Sequence, residues 1–212
     1  MTDARKSVQV IFKSSPFGTQ SHGNEANNSF VLWAYGKRLL VRSGHYDSYG
    51  SAHHSNWVWS TRSVNNITAN GLGQGKRTAQ AQGKIVAFKT TPSMDIVVGE
   101  AGSAYERGIL DRFTRAIIFV KPELVIVYDR LEAKKPSTFE YWLHAINKIS
   151  VEDQNRIRVE NDDVVCDIDF LTPSDLTFKQ TNKYDPKPRP RIKMREWHLT
   201  ATTPEKKKRM EF

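Results

Sequence analysis

The chain has little cysteine, no long hydrophobic run and no convincing helical periodicity, and each absence excludes a class of protein. With the single cysteine Cys166 in 212 residues, no internal disulfide framework can form. The longest apolar runs, residues 116–120 and 124–128, are strand-sized, far below the roughly 20 residues that a membrane helix needs. Residues 1–7 contain no hydrophobic core of a signal peptide. The sequence therefore indicates a globular domain without disulfides and without a membrane span.

Basic residues outnumber acidic ones, and the net charge of +9 favours an acidic partner such as nucleic acid, a membrane surface or an acidic polysaccharide. Part of the excess lies in residues 183–195 and 206–209, and charge runs of this kind are usually solvated surface. The chain has no recognition helix, zinc-finger spacing or aromatic-basic RNA signature. We therefore expect no nucleic-acid partner.

Short runs rich in β-branched and aromatic residues, separated by turn signals, dominate the chain and indicate an all-β, antiparallel β-sandwich of stacked sheets. Both faces of residues 124–128 are apolar, which is typical of a strand covered on both sides. Residues 103–113 leave room for a helical turn. No repeat or linker divides residues 1–212, so we expect one domain. The predicted strands are 8–13, 29–35, 38–43, 66–69, 84–90, 94–98, 114–120, 124–131, 139–144, 149–151, 156–159, 164–171, 192–195 and 197–201.

A long polar segment, residues 44–83, interrupts the strand pattern, and such a segment inside a compact domain is more often functional than not. Flat aromatic rings cover the C–H faces of a pyranose and polar groups meet its hydroxyls, so the segment fits a sugar-binding surface. The alternative is a loop that its own tryptophan and tyrosine side chains pin to the sandwich. The candidate substrate contacts in this segment are His45, Tyr46, His53, His54 and Trp57.

Residues 21–30 hold the densest polar cluster, with the imidazole of His22 and the carboxamides of Asn24, Asn27 and Asn28 just before the apolar run 30–35. Polar groups on a loop that leads into a buried strand are typical of a binding or catalytic rim on a rigid sheet. The alternative is an Asn-rich turn whose side chains cap their own backbone.

Six motifs occur in order: SSPFG at 14–18, SHG at 21–23, NSF at 28–30, LLVRSGHY at 39–46, NNITANG at 65–71 with Gln74, and residues 115–131. Together they resemble the C-terminal region of heparinase II/III-like polysaccharide lyases, over most of residues 8–145 and more faintly beyond. The resemblance implies an N-terminal α/α toroid joined to a C-terminal β-sandwich, with cleavage of uronate-containing acidic polysaccharide by β-elimination. On this basis we expect a fragment that lacks the toroid and the extreme C-terminus and is inactive alone. We expect the full-length protein to be periplasmic or secreted.

The implied reaction assigns roles to particular side chains. It removes a weakly acidic proton α to the uronate carboxylate, so donors must neutralise that carboxylate, and a base and an acid must be supplied. In the family a toroid tyrosine commonly serves in proton transfer, and a sandwich histidine corresponds to His22. We expect His22 to neutralise the carboxylate or relay a proton, the alternative being a loop histidine bonded to backbone. Arg77 is a candidate to meet uronate or sulfate, or else an ordinary solvated charge.

The same resemblance implies a zinc ion in the sandwich, but the three ligand positions correspond here to Asn24, Arg42 and Val64. Zinc prefers imidazole, thiolate or carboxylate ligands, and none of the three residues supplies one. We expect no zinc at this site and no cofactor, with Arg42 in place of the metal and paired with Glu25 or Asp47. Because this loss marks divergence around the loop, a second hypothesis stays open: a non-catalytic sandwich that binds carbohydrate or supports a partner domain.

Overall fold

The computed structural model describes residue 3 and residues 6–106, 108–193 and 195–212. These residues form fifteen strands, three short helical turns and no helix able to cross a membrane. The predicted all-β antiparallel sandwich is confirmed. The strands are β1 Val8–Lys13, β2 Ser29–Ala34, β3 Lys37–Leu40, β4 Asn66–Ala69, β5 Lys84–Thr90, β6 Met94–Glu100, β7 Leu110–Val120, β8 Leu124–Ser137, β9 Phe139–Ala145, β10 Ser150–Val151, β11 Arg156–Asn161, β12 Val164–Asp169, β13 Thr177–Thr181, β14 Trp197–Thr202 and β15 Lys207–Glu211.

The strands of the described residues pair into four antiparallel sheets, in the orders β1-β2-β3, β10-β11-β12, β13-β14-β9-β4 and β15-β8-β7-β6-β5. Apolar side chains from all four sheets meet in one core, which includes Leu32, Ile67, Phe113, Leu143 and Val159. Burying each such side chain stabilises the fold by roughly 1.5–3 kcal/mol relative to exposure. This shared core makes the sandwich a rigid support for the loops at its edge.

A buried ion pair joins the five-stranded sheet to the loop before β2. Arg115 on β7 and Asp129 on β8 are fully buried and form a two-point contact, with Nε–Oδ1 and Nη2–Oδ2 distances of 2.7 and 2.8 Å. Nη1 of Arg115 donates to the carbonyls of Asn28 and Asn65. Because a buried charge is tolerated only when it is paired and hydrogen-bonded, this arrangement holds the loop backbone in one place.

Several strand boundaries differ from the sequence prediction. β8 does not stop near residue 131 but continues through Pro136 to Ser137, where β15 is its only remaining neighbour strand among the described residues. The charge run at 206–209 is exposed, as expected for solvated surface, and most of it lies in the edge strand β15, where lysine is common. β13 was also not predicted.

Two further predictions concern short segments. Residues 192, 193 and 195 are irregular, so the predicted strand 192–195 is wrong there, and residue 194 lies outside the described residues. Three prolines between 186 and 190 precede this segment, and proline cannot donate to a strand ladder. The helical turn expected within 103–113 is a single 3-10 turn at Gly102–Ala104, followed by the start of β7.

The first part of β8 is covered on one face only. Val125 and Val127 pack against the core, whereas Leu124, Ile126 and Tyr128 are exposed. The expectation of a strand covered on both sides is therefore wrong for the described residues. The apolar sequence of residues 124–128 makes both faces suitable for packing, but only one face packs against other residues of this chain.

Candidate functional site

Six side chains from the polar segment 44–83 and from residues 21–30 converge at one surface, which we call the aromatic rim. Its members are His22, Tyr46, Tyr49, His54, Trp59 and Arg77. The ring of Tyr49 is centred 6.2 Å from that of His22 and 5.3 Å from that of His54. His54 and Trp59 are buried and form the floor, while the other four members are exposed. The rim thus presents exposed rings and cations above an aromatic base.

Arg77 is the cation of this surface. Its guanidinium carbon lies 4.3 Å from the ring centroid of Trp59, within cation–π distance. The pKa of His54 is lowered, first by burial and then by the charge of Arg77. A fixed guanidinium beside a neutral imidazole can receive a carboxylate or sulfate group from solvent.

Backbone hydrogen bonds hold the loop that carries His22. The amide of Gly23 donates to the carbonyl of Gln20, and the amide of Glu25 donates to the carbonyl of Trp59, each at 2.9 Å. The hydroxyl of Thr19 donates to the carbonyl of Gly75 at 2.6 Å. The imidazole of His22 is exposed at the surface. The loop is therefore fixed while its histidine stays available to a ligand.

Asn27 and Asn28 face the interior instead of the rim surface. Asn27 is buried, and its side chain accepts from the amide of Ser15 and donates to the carbonyl of Ala81, at 2.9 and 3.0 Å. Asn28 has a φ of 59°, a left-handed conformation that asparagine tolerates, and its amide donates to the carbonyl of Phe113 at 3.0 Å. Both side chains hold the turn, whereas Asn24 is half-buried at its edge.

Glu25, directly behind the rim, is a titrating group that the sequence did not single out for its own chemistry. Its carboxylate accepts from the amide of Thr61 at 3.1 Å and is almost completely buried. Burial raises its pKa to about 7, although the Thr61 hydrogen bond and the charge of Lys76 act in the opposite direction. A carboxyl group with such a pKa next to a polar rim is typical of functional sites.

His53 and Trp57 point away from the rim into a buried group of aromatic and histidine side chains, although both lie next to it in the sequence. Nδ1 of His53 donates a hydrogen bond of 2.8 Å to the carbonyl of Pro186. Nε1 of Trp57 donates to the hydroxyl of Ser43, which lies 3.1 Å from Nδ1 of His198. Neither His53 nor Trp57 is exposed.

His144 and His198 complete this buried group, and sequence reasoning missed them. They are directly opposite each other on β9 and β14, with their Nδ1 atoms 3.2 Å apart. Burial lowers the pKa of His198 to about 4 and also lowers that of His144. Both imidazoles are therefore neutral near pH 7. Only the strand register, which one sequence does not reveal, brings them together.

The three positions that the family resemblance relates to zinc ligands, Asn24, Arg42 and Val64, carry side chains that do not ligate zinc. Arg42 donates to the carbonyl of Val58, and the side chain of Val64 is buried. The expected pairing of Arg42 with Glu25 or Asp47 is wrong, since Glu25 accepts from Thr61 and Asp47 accepts from loop residues. Across the part of the chain that the structure describes, no three His, Cys, Asp or Glu side chains are grouped to hold a metal.

The other predicted contacts are divided between the surface and the interior. His45 and Tyr46 are exposed beside Asp47, which is buried. Tyr46 packs edge-on against His54, with ring centroids 4.8 Å apart. The structure therefore brings His22, Tyr46, His54 and Arg77 together and separates them from His53 and Trp57.

Comparisons with known proteins give matches over nearly the whole chain. A family profile described as "Heparinase II/III-like, C-terminal" matches residues 1–201, so the resemblance seen in the motifs is confirmed. No curated protein matches the chain.

Solved structures share the fold at low sequence identity. A structure titled "Heparinase III-BT4657 gene product" is 16% identical, with a TM-score of 0.78 over 96% of this chain and 32% of that one. The heparan sulfate lyase HepC from Pedobacter heparinus is also 16% identical, with a TM-score of 0.76 and the same coverage. A third structure, titled "Heparinase III", is 14% identical, with a TM-score of 0.74 over 98% and 33%. The chain spans about a third of the length of these structures.

Proposed function

The chain belongs to the heparinase II/III-like C-terminal family, and we propose that it forms the β-sandwich part of a lyase acting on a uronate-containing acidic polysaccharide. The names of the similar structures, heparinase III and heparan sulfate lyase, support this substrate class. The observation that carries the proposal is the exposed imidazole of His22 within the aromatic rim, close to Tyr49 and held by a fixed loop. The proposed enzyme has a further N-terminal toroid domain and acts in the periplasm or outside the cell.

The proposed reaction is a β-elimination. A base removes the proton α to the uronate carboxylate, the electron pair forms a carbon–carbon double bond, and the bond to the glycosidic oxygen breaks. His22 donates to the carboxylate and stabilises the negative charge that develops as the proton leaves, or relays a proton in this step. The leaving oxygen takes up a proton, and the new non-reducing end is an unsaturated uronate. A toroid side chain supplies the remaining acid–base group.

The side chains that are exposed on the aromatic rim and beside it are the proposed substrate contacts. Tyr46 and Tyr49 are more than half exposed, at 51% and 58%, so their rings are free to cover the C–H faces of a sugar. Arg77 meets the carboxylate or sulfate of a neighbouring unit, and His45 and Asn24 contribute polar contacts at the edge. Asn27, Asn28, His53 and Trp57 act from the interior by holding the loops, and His54 forms part of the floor.

No zinc step enters this mechanism, because the amide, guanidinium and isopropyl groups of Asn24, Arg42 and Val64 are not zinc ligands. In the proposed step the reacting carboxylate is neutralised by His22 instead. The proposed catalysis therefore requires no cofactor in this domain.

The test uses the full-length protein with a panel of acidic polysaccharides and follows the absorbance of the unsaturated uronate product. We expect His22→Ala to lower turnover by about 100-fold or more, the range typical of a lost acid–base or charge-stabilising group. Gln20→Ala is the matched control, since Gln20 is exposed on the same loop and contributes its backbone carbonyl to the turn. Unchanged turnover in His22→Ala would remove this histidine from the mechanism.

One observation favours the second candidate, a non-catalytic carbohydrate-binding or supporting sandwich. The side-chain amides of Asn27 and Asn28 donate to the backbone carbonyls of Ala81 and Phe113, so this part of the loop has a structural role. In that case the full-length protein binds acidic polysaccharide or buttresses its partner domain, and no unsaturated product accumulates with any substrate. The same absorbance assay, paired with a binding measurement, separates the two candidates.

A further inference from the structure

Arg42 is a cation beside the aromatic rim that the proposed mechanism does not use. It follows β3 by two residues, and its side chain is exposed although both of its neighbours in the sequence are less exposed. Its guanidinium donates to the backbone carbonyl of Val58, one residue before Trp59. Trp59 is the ring on which Arg77 lies. One backbone contact therefore anchors Arg42 next to the floor of the rim and leaves its other donors available.

No carboxylate neutralises this guanidinium. Within the part of the chain that the structure describes, no Asp or Glu lies within ion-pair distance of Arg42. The nearby carboxylate of Asp47 accepts from the amides of Ser48 and Arg189 and from the hydroxyl of Ser51. Burial lowers the pKa of Arg42, so its charged form has lost hydration without gaining an ionic partner. Such a group retains donors for an anionic ligand.

Lys13, the last residue of β1, is a second cation in the same position. Its pKa is lowered, first by burial and then by the positive charge of Arg42, so the two charges are close enough to repel each other. Its ammonium has neither an ion pair nor a side-chain hydrogen bond among the described residues. Two cations that are partly desolvated and mutually repulsive are stabilised by an anion that binds between them.

The positive potential of this pair extends to the aromatic rim. The pKa of His54 is lowered first by burial and then by the positive charges of Arg77, Arg42 and His22, while Asp47 acts in the opposite direction. The guanidinium of Arg42 is therefore close to the surface on which the substrate contacts of the rim lie. A surface lined by charges of one sign raises the local concentration of oppositely charged ligands.

We propose that Lys13 and Arg42 form a second anion subsite beside the aromatic rim, which takes a carboxylate or sulfate group of the polysaccharide other than the carboxylate held by His22. The identity of the ligand rests on the proposed function, whereas the subsite itself rests on the two unpaired cations. The planar guanidinium matches two oxygens of such a group, and the ammonium supplies a point charge. The subsite therefore favours chains that carry a further anionic group near the uronate to be cleaved.

The first experiment detects the anion without any turnover. Acetylation of Lys13 by acetic anhydride is followed by mass spectrometry in the full-length protein, in sodium sulfate and in sodium chloride at equal ionic strength. A bound anion stabilises the charged, unreactive ammonium, so we expect sulfate to slow acetylation of Lys13 about threefold or more. Lys179 is the internal control, since it is exposed on β13 in another sheet, and it should react equally in both salts.

Two substitutions connect this protection to Arg42. Arg42→Gln removes the charge and should abolish the effect of sulfate on Lys13, whereas Arg42→Lys keeps the charge and should retain it. Equal effects of sulfate on Lys13 and Lys179, or no effect at Lys13, overturn the subsite. Protection that persists unchanged in Arg42→Gln overturns the role of Arg42.

The second experiment replaces inorganic sulfate by the sulfated glycosaminoglycans of the substrate panel, each with its desulfated and its carboxyl-reduced form. Loss of Lys13 protection on desulfation assigns the subsite to sulfate, and loss on carboxyl reduction assigns it to a carboxylate. Protection by no polysaccharide of the panel overturns the assignment to this ligand class. Protection in a protein that cleaves no substrate supports the subsite and contradicts the proposed lyase activity, so the two failures are distinguishable.

Steady-state kinetics with a cleaved substrate tests the specificity role. Lys13→Gln removes a side chain that holds no other residue in place, and should raise KM about fivefold or more with little change in kcat, as expected for a contact that is equal in ground state and transition state. Lys179→Gln should leave both constants unchanged. An unchanged KM in Lys13→Gln overturns the contribution of the subsite to substrate selection.

Discussion

Nη1 of Arg115 donates a hydrogen bond of 2.7 Å to the backbone carbonyl of Asn28, and through it the middle of the five-stranded sheet fixes the loop that leads away from His22. The same guanidinium is paired with Asp129, so the loop, two strands and one buried charge depend on a single side chain. The position of the aromatic rim is therefore set by an interaction inside the sandwich, far along the chain from the rim itself.

Replacing this guanidinium is expected to destabilise the whole domain. Arg115→Met leaves the buried carboxylate of Asp129 without a partner and lowers the free energy of unfolding by roughly 3–5 kcal/mol. Chemical denaturation measures the change. The double variant Arg115→Met/Asp129→Leu removes both charges and should recover a large part of the loss. A double variant no more stable than the single one would show that the unpaired carboxylate is not the cause.

Arg77 is expected to act on substrate binding more than on turnover. In the full-length enzyme, Arg77→Ala should raise KM about tenfold with little change in kcat, because a contact equal in ground state and transition state affects only KM. Lys76→Ala is the control, since Lys76 is exposed, adjacent and bonded to Asn56. A fall in kcat alone would contradict a purely binding role. Steady-state kinetics separates the two cases.

The buried histidines should make the fold sensitive to mild acid. The pKa of His198 is about 4 in the folded protein because burial disfavours its charged form, and the unfolded value is about 6.5. The unfolded state then binds more protons between these values. Stability from this group is present above pH 6.5 and is lost as the pH falls towards 4, on the order of 3 kcal/mol. Denaturation from pH 4 to 7 should give a shallower pH dependence for His198→Gln than for the wild-type chain.

Glu25 should show the opposite pH dependence. Its pKa is raised from 4.5 to about 7 in the folded protein, chiefly by burial. The folded state then holds a proton that the unfolded state has released, so this contribution is complete below pH 4.5 and is lost as the pH rises through 7. Glu25→Gln, which stays neutral, should gain stability relative to the wild-type chain as the pH rises from 4.5 to 8. A constant difference over this range would contradict the raised pKa.

Metal analysis gives an independent check of the ligand positions. With Asn24, Arg42 and Val64 at the positions related to a zinc site, we expect purified protein to hold far less than one equivalent of zinc. Dialysis against a chelator should leave its melting temperature unchanged, because no bound metal contributes to stability. Stoichiometric zinc that is lost together with stability would contradict this expectation.

Local patterns predicted much of the fold. The bounds of β4, Asn66–Ala69, and of β5, Lys84–Thr90, match the sequence prediction because β-branched residues flanked by turn signals define both. β15 has no such pattern, since its Lys207–Glu211 sequence is mostly charged and becomes a strand only by pairing with β8. Edge strands owe their conformation to the neighbour and not to their own side chains.

The candidate site could be predicted only in part, because some of its groups come together through contacts between distant parts of the chain. The polar cluster around His22 is local, and the structure places this imidazole at the surface. His144 and His198 meet through a register between two strands that are 54 residues apart, and the burial of Glu25 depends on Thr61. Such long-range pairings leave no local signal, so neither the buried imidazoles nor the raised carboxyl pKa could be read from the sequence.

The π-helical turn His54–Val58 begins directly after His53, and these consecutive histidines face opposite sides of the protein wall. One ring touches Tyr46 at the outer surface, while the other is bound to the Pro186 carbonyl within. The segment 53–58 therefore joins the aromatic rim to the proline-rich segment 186–190 through two adjacent side chains, and a substitution at either histidine removes one of these two contacts.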